Sequence, residues 1–378
     1  MKKRVALLGA SGSIGKNTLD VLREGRDFFE PVLFSAHTQD ESLLTLKKEF
    51  PEARLALSGK ENGPDGIEYF GGKGLLEAIA CSGADIVLNG ISGADGLAAS
   101  LAAIQSGADL ALANKETIVM ASSLMAAEAK KAGVRILPVD SEHSAVFALL
   151  EAHGREQAAE LILTASGGPF RTRSAASLES IGPREALAHP TWSMGPKITI
   201  DSATLANKGL EVIEAAGLFG AAPEQIKVVI HPQSIVHSMI RLKDGAVYAQ
   251  LSKPDMRLPI HNALYWPECL PCSFAHLTFE GLVLEFEKPD VKKFPMLDLA
   301  YEALKQGGVY PAVYNAANEI AVAAFLSERI GFTNIAELTR ETLSHDWQGG
   351  ADSLQLILEA DKAARNLTIR YITEHLSW

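Results

Sequence analysis

Across the first 140 residues, short apolar runs alternate with stretches patterned at helical spacing, and this alternation limits the fold more than any single motif. The runs are Val5–Leu8, Val32–Phe34, Leu55–Leu57, Ile86–Leu88, Leu110–Leu112 and Val134–Val139. Gly96–Gln105 and Ile118–Lys131 are typical of the Ala-rich or amphipathic stretches between them. A strand with one wet face alternates polar and apolar residues, whereas an unbroken apolar strand needs cover on both faces. Apolar strands separated by helices therefore predict a Rossmann-like, doubly wound parallel sheet in an α/β domain covering residues 1–140.

The first strand runs directly into Gly9-Ala10-Ser11-Gly12-Ser13-Ile14-Gly15, and a helical pattern (Thr18, Leu19, Val21, Leu22) follows. Glycines let the backbone turn tightly and approach a pyrophosphate, which the helix N-terminus then stabilises. The spacing is Gly-x-x-Gly-x-x-Gly rather than Gly-x-Gly-x-x-Gly, and a glycine loop can serve chain reversal alone. Its place at the first strand–helix turn of an alternating pattern points instead to a dinucleotide. In NAD enzymes an acid at the end of the second strand binds the ribose 2′-hydroxyl. Here that strand ends in Ser35-Ala36-His37-Thr38-Gln39, with no acid before Asp40, and this favours NADPH.

After Asp140 the rhythm changes. Leu161–Thr164, Lys227–Ile230, Ile235–Leu242 and Ala246–Leu251 read as strands, the last two joined at Asp244-Gly245, a hairpin signal. An α+β second domain is expected over residues 141–269, followed by a linker at 270–294 that holds Pro271 and Pro289. From Pro295 the pattern is helical (Met296–Lys305, Ala312–Leu326, Leu354–Thr373), predicting a C-terminal helical bundle over 295–378.

The strand Val134–Val139 ends in Asp140-Ser141-Glu142-His143, at the sheet edge where ligands gather. Asp140 and Glu142 offer hard oxygens suited to Mg²⁺ or Mn²⁺ rather than zinc, although carboxylates so spaced are common on surfaces. A third ligand is expected from the helix Ala206–Ala216, where spacing alone leaves Glu211 and Glu214 equivalent. His143 reads as a supporting or packing histidine rather than a ligand. Thr164-Ala165-Ser166-Gly167-Gly168 follows a strand and can form an anion nest. Asp201-Ser202-Ala203-Thr204 and Asn207-Lys208 are read as opening the Glu211 helix, where Ser202 or Thr204 can also serve as a cap. Between these phosphate candidates, the Gly/Pro-punctuated segment 166–196 is expected to act as a lid, with Trp192 and Met194 covering a ligand or packing in a core.

The formal charge of −11 gives no basic footprint for nucleic acid or anionic lipid, so anionic substrates must be held by local donors. Three cysteines, Cys81, Cys269 and Cys272, are too few for a disulfide framework, and a cytoplasmic enzyme is expected. The apolar run behind Met1-Lys2-Lys3-Arg4 stops at Gly9, too short for a signal-peptide core or a membrane span.

Together these segments resemble the 1-deoxy-D-xylulose-5-phosphate reductoisomerase family of isoprenoid precursor biosynthesis. The strings are Gly12-Ser13-Ile14-Gly15, Leu112-Ala113-Asn114-Lys115-Glu116, Pro138-Val139-Asp140-Ser141-Glu142-His143, Ser166-Gly167-Gly168-Pro169-Phe170 and His189-Pro190 with Trp192-Ser193-Met194-Gly195. Asp201-Ser202-Ala203-Thr204, Asn207-Lys208-Gly209-Leu210-Glu211, His231-Pro232-Gln233-Ser234, Pro254-Asp255-Met256-Arg257 and Asn315-Ala316-Ala317-Asn318-Glu319 continue the likeness in order along the chain.

The resemblance implies NADPH-dependent rearrangement and reduction of 1-deoxy-D-xylulose 5-phosphate to 2-C-methyl-D-erythritol 4-phosphate by a homodimeric oxidoreductase. It implies Ser11, Gly12, Ser13, Ile14, Ala36, His37, Thr38, Asn114, Glu116 and Gly195 as cofactor contacts. Asp140, Glu142 and Glu211 become ligands of Mg²⁺, Mn²⁺ or Co²⁺, and Lys115, Glu142 and Glu211 the catalytic set. Substrate contacts fall to Lys115, Ser141, Glu142, Ser166, His189, Trp192, Ser202, Asn207, Lys208 and Glu211. The chain departs from the family where members often carry a Gly-Lys-Asn segment and this one has Ala36-His37-Thr38. Two rivals remain: a semialdehyde dehydrogenase, which needs a thiolate beside a base, and a non-catalytic NADPH-binding regulator.

Overall fold

The computed structural model describes residues 1–188 and 194–375, which divide into two compact units. The first comprises Met1–Thr117, Met125–Ser144 and Asp255–His276. Its seven parallel strands are β1 (Lys3–Leu8), β2 (Phe29–Ala36), β3 (Arg54–Leu57), β4 (Tyr69–Phe70), β5 (Ile86–Asn89), β6 (Asp109–Leu112) and β7 (Ile136–Pro138), in the order β4-β3-β2-β1-β5-β6-β7. Val5 to Leu8 on the central β1 are fully buried, the double cover that the unbroken apolar runs required. β1 pairs with both β2 and β5, so the chain reverses direction across the sheet there. That reversal opens a crevice at the carboxyl ends of β1 and β5, where doubly wound sheets bind ligands.

Asp255–His276 falls with this unit, although the sequence reading ran the second domain to 269. The physical tie is visible: the helix Arg257–Tyr265 packs on the helix Ser13–Glu24, and Lys3 Nζ donates to Leu264 O (2.8 Å) and Trp266 O (3.0 Å).

The second unit, Ile118–Leu124, Ala145–Pro254 and Leu277–Trp378, is built on a mixed four-stranded sheet. Its strands are β8 (Ala158–Ala165), β9 (Ile226–Ile230), β10 (Val236–Leu242) and β11 (Val247–Leu251), ordered β11-β10-β8-β9. β8 and β9 run parallel and the other pairs antiparallel, with the expected hairpin closed at Asp244-Gly245 by Ala246 N–H donating to Asp244 Oδ1 at 2.9 Å. One large core joins this sheet to the helices Ala206–Phe219, Met296–Gln306, Tyr310–Leu326 and Asn334–Leu343. Gly209 lets its helix close on two others: a Cβ there would meet Ala300 Cβ and the Tyr314 hydroxyl at 2.7 Å. No described helix is long and apolar enough to cross a membrane.

Candidate active site

In the first unit, the turn after β1 is tied to the end of β2. Ala10 N–H donates to Ser35 O at 2.7 Å, and Gly9 N–H to Ser35 Oγ at 3.2 Å. Gly9 sits at φ +78°, where a Cβ would come within 2.9 Å of Gly90 O across the crevice. A Cβ on Gly15 would clash with the Gly9 and Ala10 carbonyls. Gly12 begins the helix Ser13–Glu24 with no side-chain cap, so a ligand can satisfy the amides of its first turn. Gly9 and Gly15 thus leave no room for a Cβ, and Ser11, Gly12, Ser13 and Ile14 lie on the tight turn between them. Ser11 Oγ donates to Gln39 Oε1 at 3.2 Å, drawing the turn toward the Ala36-His37-Thr38 segment.

Asn114 is buried and fully engaged. Its amide donates to Ile91 O and to Gly93 O (2.8 Å), while its Oδ1 accepts from Thr117 N–H (2.8 Å) and Thr117 Oγ1 (2.9 Å). It therefore caps the helix Lys115–Ala132 and holds the loop after β5, shaping the crevice through the backbone. Glu116 is also buried.

The cap presents Lys115, buried, with Nζ 2.7 Å from Asp140 Oδ2. Asp140 follows β7 and begins the helix Ser141–His153. Its Oδ1 accepts from Glu142 N–H (3.1 Å) and from Nδ1 of the fully buried His143 (3.0 Å). His143 thus holds the carboxylate in orientation. Ser141 Oγ donates to Glu142 Oε2 at 2.6 Å. Asp140 and Glu142 present carboxylate oxygens within 4.8 Å of each other, and this hard-oxygen pair suits a Mg²⁺-class ion.

In the second unit, a correction concerns Asp201–Thr204. These residues close a separate helix, Pro196–Thr204, rather than opening the one that carries Glu211. Leu205, in the left-handed region at φ +62°, breaks the two apart, and Ala206–Phe219 follows. Thr204 Oγ1 accepts from Ala206 N–H, the first amide of the second helix, at 3.3 Å; Gly195 caps the first helix through its backbone, with Pro196 at its first position.

Glu211 is buried, and both oxygens are engaged: Asn207 Nδ2 donates to Oε1 at 2.5 Å, and the buried Lys208 ammonium bridges to Oε2. Glu214, one turn on, is equally buried. After β8, Gly167 and Gly168 take φ +84° and +68° in succession. A Cβ on Gly168 would lie 2.8 Å from Ser202 O, so this glycine pair seats the Ser166 loop directly on the Ser202 backbone. Ser166 and Ser202 are thus brought close through Gly168, and Asn207 and Lys208 stand in the first turn of the helix that follows Leu205.

Two contributors had no assigned role in the sequence reading. Lys197 Nζ lies 2.9 Å from Oδ2 of the buried Asp201, and Asn318 Nδ2 donates to its Oδ1 at 2.8 Å. The i,i+4 spacing to Asp201 was a local signal for Lys197, whereas Asn318 lies 117 positions from Asp201. Within segment 166–196, Phe170, Leu178, Ile181 and Ala186 are packed into the second core, so this part is anchored. His189 and Trp192 lie outside the described residues.

No described cysteine sulfur contacts a histidine. Cys81 and Cys269 are exposed, and Cys272 Sγ donates to Phe274 O at 3.3 Å. The thiolate-dehydrogenase alternative lacks its activating base.

Family models match residues 5–122 as 1-deoxy-D-xylulose 5-phosphate reductoisomerase, 136–219 as the C-terminal domain of that reductoisomerase, and 251–367 as a DXP reductoisomerase C-terminal domain. The chain is 47% identical over 378 residues to the 1-deoxy-D-xylulose 5-phosphate reductoisomerase of Treponema denticola, spanning 100% of this chain and 99% of that one. The Chlorobaculum tepidum enzyme is 48% identical over 376 residues, with 96% and 98% covered. Among solved structures, the Zymomonas mobilis reductoisomerase in complex with NADPH aligns with TM-score 0.92 at 40% identity, covering 99% and 100%. A DOX-P reductoisomerase in complex with NADPH, fosmidomycin and magnesium aligns with TM-score 0.91 at 38% identity, covering 98% of each chain.

Proposed function

This chain belongs to the 1-deoxy-D-xylulose 5-phosphate reductoisomerase family, and from that premise we propose how its residues carry the family's reaction. The reaction is the rearrangement of 1-deoxy-D-xylulose 5-phosphate and its NADPH-dependent reduction to 2-C-methyl-D-erythritol 4-phosphate. When bound, the divalent metal supplies Lewis acidity at the substrate's carbonyl and neighbouring hydroxyl, and NADPH supplies the hydride.

The metal is held by Asp140, Glu142 and Glu211. One observation carries this reading: each of the two carboxylates Asp140, largely covered, and Glu211, fully buried, is neutralised by a buried lysine, Lys115 and Lys208. Buried unpaired carboxylates are costly. The lysines compensate them before a cation arrives, and each then has ammonium protons to offer the substrate. Lys115 donates to substrate oxygen where negative charge develops as the carbon–carbon bond breaks. Ser141 and Glu142 align the hydroxyl-bearing carbons.

Lys208, Asn207, Ser166 and Ser202 hold the phosphate, so that binding energy from this remote group fixes the reacting end. His189 and Trp192, outside the described residues, are substrate contacts implied by the family resemblance. Ser11, Gly12, Ser13 and Ile14 hold the NADPH pyrophosphate, with Ala36, His37, Thr38, Asn114, Glu116 and Gly195 bordering the rest of the cofactor. The functional division is a cofactor domain built on 1–140 with Asp255–His276 joined to it, a catalytic domain that begins at 141, and helices over 295–378. The enzyme works as a cytoplasmic homodimer and accepts Mn²⁺ or Co²⁺ as well as Mg²⁺.

The test is direct. Purified protein given 1-deoxy-D-xylulose 5-phosphate, NADPH and Mg²⁺ consumes NADPH and yields 2-C-methyl-D-erythritol 4-phosphate by mass spectrometry and NMR. NADPH that stays unoxidised with Mg²⁺, Mn²⁺ and Co²⁺ alike contradicts the assignment.

A further inference from the structure

Ala36-His37-Thr38 brings no fixed cation to the end of β2, whereas a cofactor 2′-phosphate carries up to two negative charges there. We infer that Lys60, delivered by the loop after β3, is the cation that recognises the 2′-phosphate. The inference rests on the NADPH reading above and adds the residue that selects this cofactor over NADH.

β2 and β3 are neighbours, with Ala36 opposite Leu57 at their carboxyl ends. Their pairing continues past both strands: Ser58 N–H donates to Ala36 O at 3.0 Å, and Gly59 N–H to His37 O at 2.8 Å. Lys60 therefore leaves the sheet directly beside His37-Thr38. Its own backbone is pinned from the other side, where Gly71 N–H donates to Lys60 O at 2.8 Å. Gly59 keeps this loop close, because a Cβ there would come within 2.6–2.8 Å of the His37 ring. His37 is also tied to the loop by a 3.2 Å contact between Nδ1 and Ser58 Oγ.

The Lys60 ammonium is 2.6 Å from Asp40 Oδ2, and its side chain is 36% exposed, so a ligand can reach it. Asp40 does not wander: its Oδ1 accepts from Glu41 N–H at 3.1 Å at the start of the helix Asp40–Glu49. Asp40 thus holds the ammonium at the mouth of the β2 and β3 ends and uses one of its three donors. The remaining protons can meet a phosphate oxygen. A single acid already paired with lysine is also a poorer partner for a ribose 2′-hydroxyl, which weakens the case for NADH. Nothing local in the sequence marks Lys60, since it lies far from the Ala36-His37-Thr38 segment along the chain.

The experiment measures dissociation constants for NADPH, NADH and 2′-AMP on the full chain by titration calorimetry, without substrate or metal. Lys60→Met should weaken NADPH and 2′-AMP about 10- to 100-fold, the scale of one charge-assisted hydrogen bond, and leave NADH unchanged. Lys60→Arg should retain most of the preference. Unchanged NADPH binding in Lys60→Met overturns the inference, and so does equal weakening of both nucleotides, which would mark Lys60 as structural. A larger loss from His37→Ala than from Lys60→Met overturns it in favour of the imidazole. If the unaltered protein binds neither nucleotide, the NADPH reading itself fails, a result distinct from failure at Lys60 alone.

Discussion

Replacing Lys208 with methionine separates its two tasks. In the folded chain its side chain is 3% exposed and that of Glu211 is 1% exposed, so the pair is closed off from water. Breaking a buried pair by removing one partner costs about 3–5 kcal/mol, because the remaining charge is left uncompensated. Asn207 still donates to Glu211 and offsets a small part of this. A loss of that size lowers the thermal midpoint of a unit of roughly 150–250 residues by about 6–20 °C. Methionine keeps the length and the apolar stem of lysine, so the packing change is small.

Mg²⁺ provides the discriminating half of the experiment. If Glu211 is a metal ligand, a divalent cation restores the missing positive charge and stabilises the variant more than the unaltered protein, by linkage. Scanning calorimetry of both proteins with and without Mg²⁺ measures the difference. An unchanged midpoint in metal-free Lys208→Met, or an equal Mg²⁺ shift in both proteins, refutes the reasoning.

Three further outcomes follow from other contacts. Asn318→Ala removes a donor from the buried Asp201 carboxylate and should cost about 1.5–3 kcal/mol of stability; substrate KM, measured with NADPH saturating, should rise more than kcat falls, because Asp201 lies in the same helix as Ser202. Gly168→Ala places a side chain at φ +68° against Ser202 O and should cost about 1–2 kcal/mol in backbone strain alone; inhibition by free phosphate should weaken in parallel with a higher substrate KM. Burial pushes the His261 imidazole below its ordinary value of about 6.5. The folded state then binds fewer protons than the unfolded chain, so stability is full above that value and declines as pH falls through it toward the folded value. Calorimetry across this range should show the decline, and His261→Phe, which keeps the packing on Tyr265, should flatten it.

The first sheet was legible because its signal is redundant: every long strand is an apolar run bounded by helices. β4, two residues long, carries no period of its own and exists through its pairing with β3. The break at Leu205 was invisible for a different reason. Leucine favours helix, and nothing local announces a left-handed leucine, so Asp201–Thr204 and Asn207–Lys208 read as one helix start. Pro196 was a usable start signal that the reading did not take up. The helix Arg257–Tyr265 contains Pro259, yet only within its first turn, where a missing N–H costs nothing. Its place in the first unit depends on Lys3, more than 250 positions away along the chain, and no local pattern carries that contact. Lys60 belongs to the same class, since it gains meaning from Asp40, a partner fixed by tertiary structure.

The proposed metal centre is tested most directly by counting and weighing Mn²⁺ on the resting protein. Electron paramagnetic resonance titration of the unaltered chain should give one tight site, with Asp140→Asn and Glu211→Gln each weakening that same site at least tenfold while circular dichroism stays unchanged. If Glu211→Gln binds Mn²⁺ as tightly as the unaltered chain, the shared carboxylate site proposed for this reductoisomerase is contradicted.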